Sequence, residues 1–531
     1  MSESNELPKG WGMARVDALV ELVNGFAFKP TQWKSEGLPI IRIQNLNNPA
    51  APFNYCPENL PDKIRVRNGD LLFAWSGTPG TSFGAHIWRG EDAWLNQHIF
   101  KVNFDREYLN ERYLRLAINQ NLDSYIRQAH GGAGLAHITK GRFEESRLSI
   151  APLNEQARIV AKIEELFSDL DAGVAALKRA KANLKRYRAS VLKAAVEGKL
   201  TEEWRAKHPA KEPASAILAR ILKERRQKWE ADQLAKFTAA KKEPPKNWRD
   251  KYVEPSPPDT TGLPELPNGW CWATIQQLAF VDVGFAFKSA DYTKEGIRLL
   301  RGENMEPGSL RWNDVRFWPE DKLAGLEHLL VKEGQIILAM DRPLVSAGLK
   351  LARVKACDLP CLLVQRMARL RMFDEAITSF LHCSMQTHAF ISCLLGAQTG
   401  TQLPHISGSG IEEFVTAFPP LMEQEQIAED VAETLSQIDA AEMQVEQSLL
   451  RASRLRQSIL KQAFEGRLVP QDPKDEPASV LLERLRASRA HDVANGMAAT
   501  SKRTRAKIKE SSGEPRTRIR RGPSSQNQQE E

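Results

Sequence analysis

The sequence predicts an α+β protein: two tandem globular α/β domains, each followed by one long α-helix, with the two helices pairing as an antiparallel coiled coil and the halves related by a pseudo-two-fold. Three observations predict this. A long unit is written twice in order; each copy opens on short β-rich runs mixed with amphipathic helices; each copy ends on more than 40 residues nearly free of proline and glycine.

The duplication sets the frame. LPKGW at Leu7 returns as LPNGW at Leu266, GFAFK at Gly25 returns at Gly284, and GLPIIRIQN ending at Asn45 matches GIRLLRGEN ending at Asn304, all at an offset of 259. Gly69 then pairs with Gly334, Gln97 with Gln365, His137 with His405, Pro152 with Pro420, and EGKL at Glu197 with EGRL at Glu465. By then the offset is 268, so the second copy carries about nine extra residues in its middle.

The first domain spans 7–150 and the second 263–419. PIIRIQ, DLLFAW and RLSIAP read as strands because apolar and β-branched residues cluster between Gly, Pro and Asn turns. REYLNERYLRLAINQNLDSYIRQ reads as an amphipathic helix. The helices follow at 151–200 and 420–468. Glu155 to Glu197 holds one glycine, Gly173, and no proline; Glu423 to Glu465 holds neither. Along the first, Ile159, Ile163, Leu166, Leu170, Gly173, Leu177, Ala180, Leu184, Tyr187 and Val191 step by alternating 4 and 3. Along the second the series is Ile427, Val431, Thr434, Ile438, Ala441, Val445, Ser448, Ala452, Leu455 and Ile459. That spacing is a coiled-coil seam. The other faces are polar, so so narrow a stripe needs a partner, and the economical partner is the other helix.

The segment 201–262 is expected to be a short helix, containing EPASAIL, and a Pro-rich extended linker. Its counterpart, EPASVLL, lies in a short helix within 469–490. Residues 491–531 form a polar basic tail that cannot bury a core and is expected to be disordered.

The net charge of +7 leans toward an anionic partner, but Lys502–Glu531 carries +5 of it, leaving +2 elsewhere. Bulk charge therefore does not establish nucleic-acid binding. No run of 18 apolar residues predicts a membrane span, and the cysteine scatter and N-terminus suit a cytoplasmic protein. Catalytic motifs are wanting. SPPD at Ser256 lacks the aromatic of an amino-methyltransferase loop, GTPGTSFG at Gly77 lacks the phosphate-loop lysine, GSG at Gly408 follows no clear strand, and PEDK at Pro319 reads as a surface turn. Cys357, Cys361, His382, Cys383, His388 and Cys393 lack the paired spacing of a zinc site, so no metal and no catalytic residue is assigned. A binding or scaffolding subunit fits better than an enzyme.

LPxGW, GFAFK, GDLLFA, and above all the PLxEQ junctions at Pro152–Gln156 and Pro420–Gln424 leading into a helix that ends LKxAxxGxL, resemble the specificity subunit of type I DNA restriction–modification systems. The resemblance runs to about residue 487. It implies two target-recognition domains, each reading half of a bipartite sequence in double-stranded DNA. It also implies paired helices that fix the spacer and dock two methylation subunits, with restriction subunits joining them. S-adenosylmethionine, ATP and Mg would belong to those partners, none to this chain. A coiled-coil scaffold without sequence-specific DNA binding is the alternative.

Base reading calls for side chains with paired donors and acceptors, and phosphate contact for Lys, Arg, Ser and Thr. In the first copy the candidates are Arg42, Gln44, Asn45, Trp75, Ser76, Thr78, Gln97, His98, His137 and Lys140, with the Gly-rich turn at Gly131–Gly134. In the second they are Arg301, Glu303, Asn304, Asp341, Arg342, Gln365, Arg366, Thr399, Thr401 and His405. Different half-sites would demand differences at matched places: Trp75 against Met340, Ser76 against Asp341, His98 against Arg366.

Overall fold

The computed structural model describes residues 7–48, 50–77, 81–122, 125–126, 136–396 and 405–491. The chain forms two compact units. One takes the N-terminal part to Ala175 together with the chain from Leu449; the other is Ala176–Ser448. The expected tail beyond 491 lies outside the described residues.

In the first unit, Glu21–Asn24, Ile99–Asn103, Leu71–Ala74 and Gly84–Ile87 lie side by side as an antiparallel sheet. A second sheet orders Asn54–Cys56, Leu38–Ile41, Ala93–Leu95 and Arg65–Val66, with its middle pair parallel. Leu71–Ala74 has no polar residue, and the reason is that both its faces are covered. Leu71 and Phe73 enter one apolar core while Leu72 and Ala74 enter another. The second unit repeats this: in Ile336–Ala339, Ile336 and Leu338 face one core, Ile337 and Ala339 the other. A ten-residue helix in each domain is capped by a side chain, Asn110 before Glu111–Gln120 and Asp374 before Glu375–Ser384.

The long helices are Leu153–Val196 and Leu421–Phe464, of 44 residues each. Within the second unit Lys181 pairs with Glu446 at 2.7 Å and Arg188 pairs with Asp439. Seven residues forward on one helix thus meet seven residues back on the other, which is antiparallel pairing. The first unit contains the matching pair, Asp171 with Arg456, and buries Ile159 and Ile163 in one cluster with Ile459 and Ala463. Val191 and Leu192 meet Ile427 and Val431 likewise in the second.

The seam departs from the simple alternation. Leu455 is 52% exposed and Tyr187 54% exposed, while Arg456 and Arg188 take the inward places one residue later. Gly173 is exposed too, with Val174 inward instead. A straight helix turns 3.6 residues, so a strict 3.5 repeat drifts off the contact face. At Arg456 the guanidinium lies over the Phe167 ring, 4.1 Å from its centroid, a contact open to arginine but not legible as a seam position.

The segments after the long helices are exchanged between the copies. Ala214–Ala239 follows the first helix but packs Ala214, Ile217 and Ile221 against Ala273, Leu278 and Phe418 of the second domain. It runs 26 residues, over the stretch from EPASAIL onward that reads as amphipathic helix in the sequence. The helix after the second copy packs Ala478, Leu481, Leu482 and Leu485 into the core of the first domain with Trp11, Val16 and Leu19. The same hydrogen bond fastens each: Ala214 N donates to Gly269 O at 2.8 Å, and Ala478 N donates to Gly10 O at 2.7 Å.

The PLxEQ junctions are structural. Gln156 donates to Ala151 O at 2.9 Å and accepts from Asn110 N at 2.9 Å; Gln424 donates to Pro419 O at 2.6 Å. Glu423 is buried and accepts from Thr201 Oγ1 at 2.8 Å, Arg205 at 2.6 Å and the Trp270 indole at 2.8 Å. In Glu155, its match, the buried Oε1 has no hydrogen-bond partner among the described residues. Burial pushes the Glu155 pKa up; Trp11 and Arg158 pull it down, and Asp475 adds to the rise. The Trp11 Nε1 stops short of a hydrogen bond.

Candidate nucleic-acid interface

Antiparallel neighbours bring the end of one strand beside the start of the next. In the first domain Ala74 lies opposite Ile99, so Trp75 and Ser76, leaving one strand, meet Gln97 and His98, entering the other. The segment at His137 completes the cluster by pairing with Ser76, and Ile138 N donates to Trp75 O at 3.0 Å. The ring centroids of Trp75 lie 5.4 Å from His98 and 4.6 Å from His137. Trp75 Nε1, Gln97 Oε1 and His98 Nδ1 are buried atoms without a hydrogen-bond partner among the described residues.

The second domain builds the same cluster from other residues. Ala339 lies opposite Met367, which brings Met340 and Asp341 beside Gln365 and Arg366. Asp341 bridges to His405, and Ile406 N donates to Met340 O at 3.0 Å. His405 Nδ1 lies 2.6 Å from Asp341 Oδ1, and Arg366 Nη1 donates to Asp341 Oδ2 at 2.5 Å. Burial works against ionisation of Asp341, but the bonds from His405 and Arg366 outweigh it and hold the carboxyl below its usual range.

The GFAFK motif, given no part in the site by the sequence reading, supports both clusters. Gly25 N donates to Ile99 O at 3.2 Å and Phe26 N to Leu95 O at 2.8 Å; Gly284 N donates to Met367 O at 3.1 Å and Phe285 N to Leu363 O at 3.2 Å. A Cβ at Gly25 would stand 2.0 Å from Asn96 O, and one at Gly284 2.2 Å from Val364 O. The motif thus clamps the loops that carry Gln97–His98 and Gln365–Arg366. Its recurrence in both copies was the available signal.

Comparison with known proteins bears on what these clusters serve. Residues 8–180 match the model of the type I restriction modification DNA specificity domain. The specificity subunit of the type I restriction enzyme EcoAI, from Escherichia coli, is 30% identical over 473 residues, covering 79% of this chain and 76% of that protein. The chain belongs to the type I restriction enzyme specificity subunits. The EcoBI specificity subunit of Escherichia coli is 24% identical over 491 residues, covering 90% of this chain and 92% of that one. A chain from a solved type I restriction–modification system shares the fold, with a TM-score of 0.58 at 17% identity, covering 87% of this chain and 99% of that chain.

For this specificity subunit the remaining candidates divide. Asn45 and Asn304 are buried and pin their own loops. Asn45 accepts from Arg42 N at 3.1 Å and donates to Ala51 O at 3.2 Å; Asn304 accepts from Arg301 N at 3.2 Å and donates to Arg311 O and Asp314 O, each at 3.1 Å. Arg42 and Gln44 point to Pro52 O at 3.4 and 3.3 Å. Arg301, with a side chain 17% exposed, pairs with Glu303 and Asp314. These bonds hold the two loops, on which Gln44 and Glu303 are exposed. Lys140 donates to Leu22 O at 3.1 Å from an exposed position. Arg342 is exposed, with φ of +44°. Thr78, Thr399, Thr401 and the Gly131–Gly134 turn lie outside the described residues. Among those described, no group of three or more His, Cys, Asp or Glu is placed to hold a metal, and no helix is long and apolar enough to cross a membrane.

Proposed function

We propose that this chain directs a type I restriction–modification complex to a bipartite DNA target, each domain reading one half-site. The observation that carries the reading is the pair of matched loop clusters, Trp75–Ser76–His98–His137 and Met340–Asp341–Arg366–His405, built at equivalent places from different side chains. One scaffold holding different reading groups suits two half-sites of different sequence. The long helices set the spacer and dock two methylation subunits; restriction subunits join that core in the cytoplasm. S-adenosylmethionine, Mg and ATP serve those partners, and this chain performs no chemistry itself.

Methylation mapping tests this. Expressed with its methylation partner in a cell without N6-adenine methylation, the chain should mark one motif of two short halves with a constant gap. Expression without a methylated gapped motif would reject the reading. Inserting four residues beside Gly173 should change the gap and keep both halves; a change in either half would reject the division of labour.

A further inference from the structure

We infer that Arg366 reads a guanine in the half-site taken by the second domain, with Asp341 and His405 positioning its guanidinium. The inference rests on the DNA-reading function proposed above and names one base contact within it.

Guanine presents O6 and N7 side by side in the major groove, and two parallel N–H donors on a planar fork match them. Arg366 offers that fork. Asp341 engages only its Nη1, at 2.5 Å, so the edge formed by Nε and Nη2 makes no hydrogen bond among the described residues. The side chain is 62% exposed, against 29% for Asp341 and 41% for His405. Asp341 thus anchors one side of the fork and leaves the Nε–Nη2 edge unengaged on the most exposed of the three side chains.

The backbone is set to the same end. Arg366 has φ of +66°, in the left-handed region that side chains other than glycine seldom take. Its carbonyl accepts from Met340 N at 2.9 Å, and Gln365 N donates to Phe285 O at 2.8 Å, so the conformation is held from both sides. Unusual backbone conformations held by their surroundings gather at functional sites. Asp341 holds both Arg366 and His405, which limits the freedom a long side chain loses on binding. The first domain has Ser76 at the place of Asp341 and His98 at the place of Arg366, so it has no such cationic fork there. The guanine contact thus belongs to one half-site only.

The test compares the full chain, Arg366→Ala and Asp341→Asn, each expressed with the methylation partner, by single-molecule mapping of methylated adenines. In the native motif one half should contain a G·C pair that Arg366→Ala no longer specifies, with discrimination there falling about tenfold or more. Asp341→Asn should loosen the same position less, and the other half should stay unchanged, which also reports a folded chain. Arg366→Ala retaining every position, or relaxing positions in both halves, overturns the inference. Uniform weakening with no base relaxed means a phosphate contact and overturns it too. If Arg366→Ala marks nothing, Arg366→Gly, suited to the left-handed backbone, is titrated against duplexes with each base pair of the half-site replaced in turn; native ratios between those duplexes would overturn it. A native chain that marks no gapped motif instead defeats the proposed function, and this inference with it.

Discussion

The same glutamate of the PLxEQ junction should respond oppositely in the two copies. Glu423 accepts three hydrogen bonds, from Thr201, Arg205 and Trp270, and is buried. In Glu423→Gln the ion pair is gone, and the new amide N–H₂ must face either the indole or the guanidinium, both donors. Charge-assisted bonds contribute about 1.5–3 kcal/mol each, and the bereaved guanidinium is 21% exposed, so the loss should be about 2–4 kcal/mol. That is roughly 10 °C in melting temperature for a unit of this size. Glu155 differs in sign. Its pKa is raised in the folded state, chiefly by burial, so folding favours the protonated form. Its contribution is best below the unfolded pKa and falls as pH rises through the folded one, leaving the carboxylate a net cost at neutral pH. Glu155→Gln should therefore lie within about 1 kcal/mol of the native chain at pH 7, on the stable side, and lose that advantage near pH 4. Hydrogen exchange of the strand amides in Cys271–Thr274 and Gly12–Arg15 reads the two units separately, beside a thermal melt. Equal losses for both variants, or a larger loss in Glu155→Gln, would refute the assignment of these bonds.

Three further outcomes follow from the same geometry. Gly284→Ala places a Cβ 2.2 Å from Val364 O, so it should cost about 3 kcal/mol in a denaturant titration and, under the proposed function, relax one half-site only. Leu455→Glu should change stability by no more than about 0.5 kcal/mol because Leu455 is exposed, whereas Ile459→Ala should cost about 2–5 kcal/mol because Ile459 is buried; urea midpoints separate them. Gly173→Ala, in an exposed helical position where a Cβ meets nothing within 4 Å, should raise stability by about 0.5–1 kcal/mol, read as a higher melting temperature.

The sequence pattern was enough for the duplication, the two long helices and the strands Leu38–Ile41, Leu71–Ala74 and Arg147–Ile150, because composition and periodicity within each segment mark them. The two loop clusters could be paired in the same way: matched positions such as Ser76 and Asp341, or His98 and Arg366, stand out once the copies are aligned. Three things belonged to tertiary structure. Asn45 and Arg366 are both good base-reading types, yet one is buried in its loop and the other projects from a left-handed turn; burial is decided by what packs around them. The seam moved from Leu455 to Arg456 because helical twist and the Phe167 ring, not a repeat count, choose the inward residue. The helix at Ala478 caps a domain that begins at Leu7, a pairing across nearly the whole chain, and no local periodicity encodes which of two similar domains such a helix will cover.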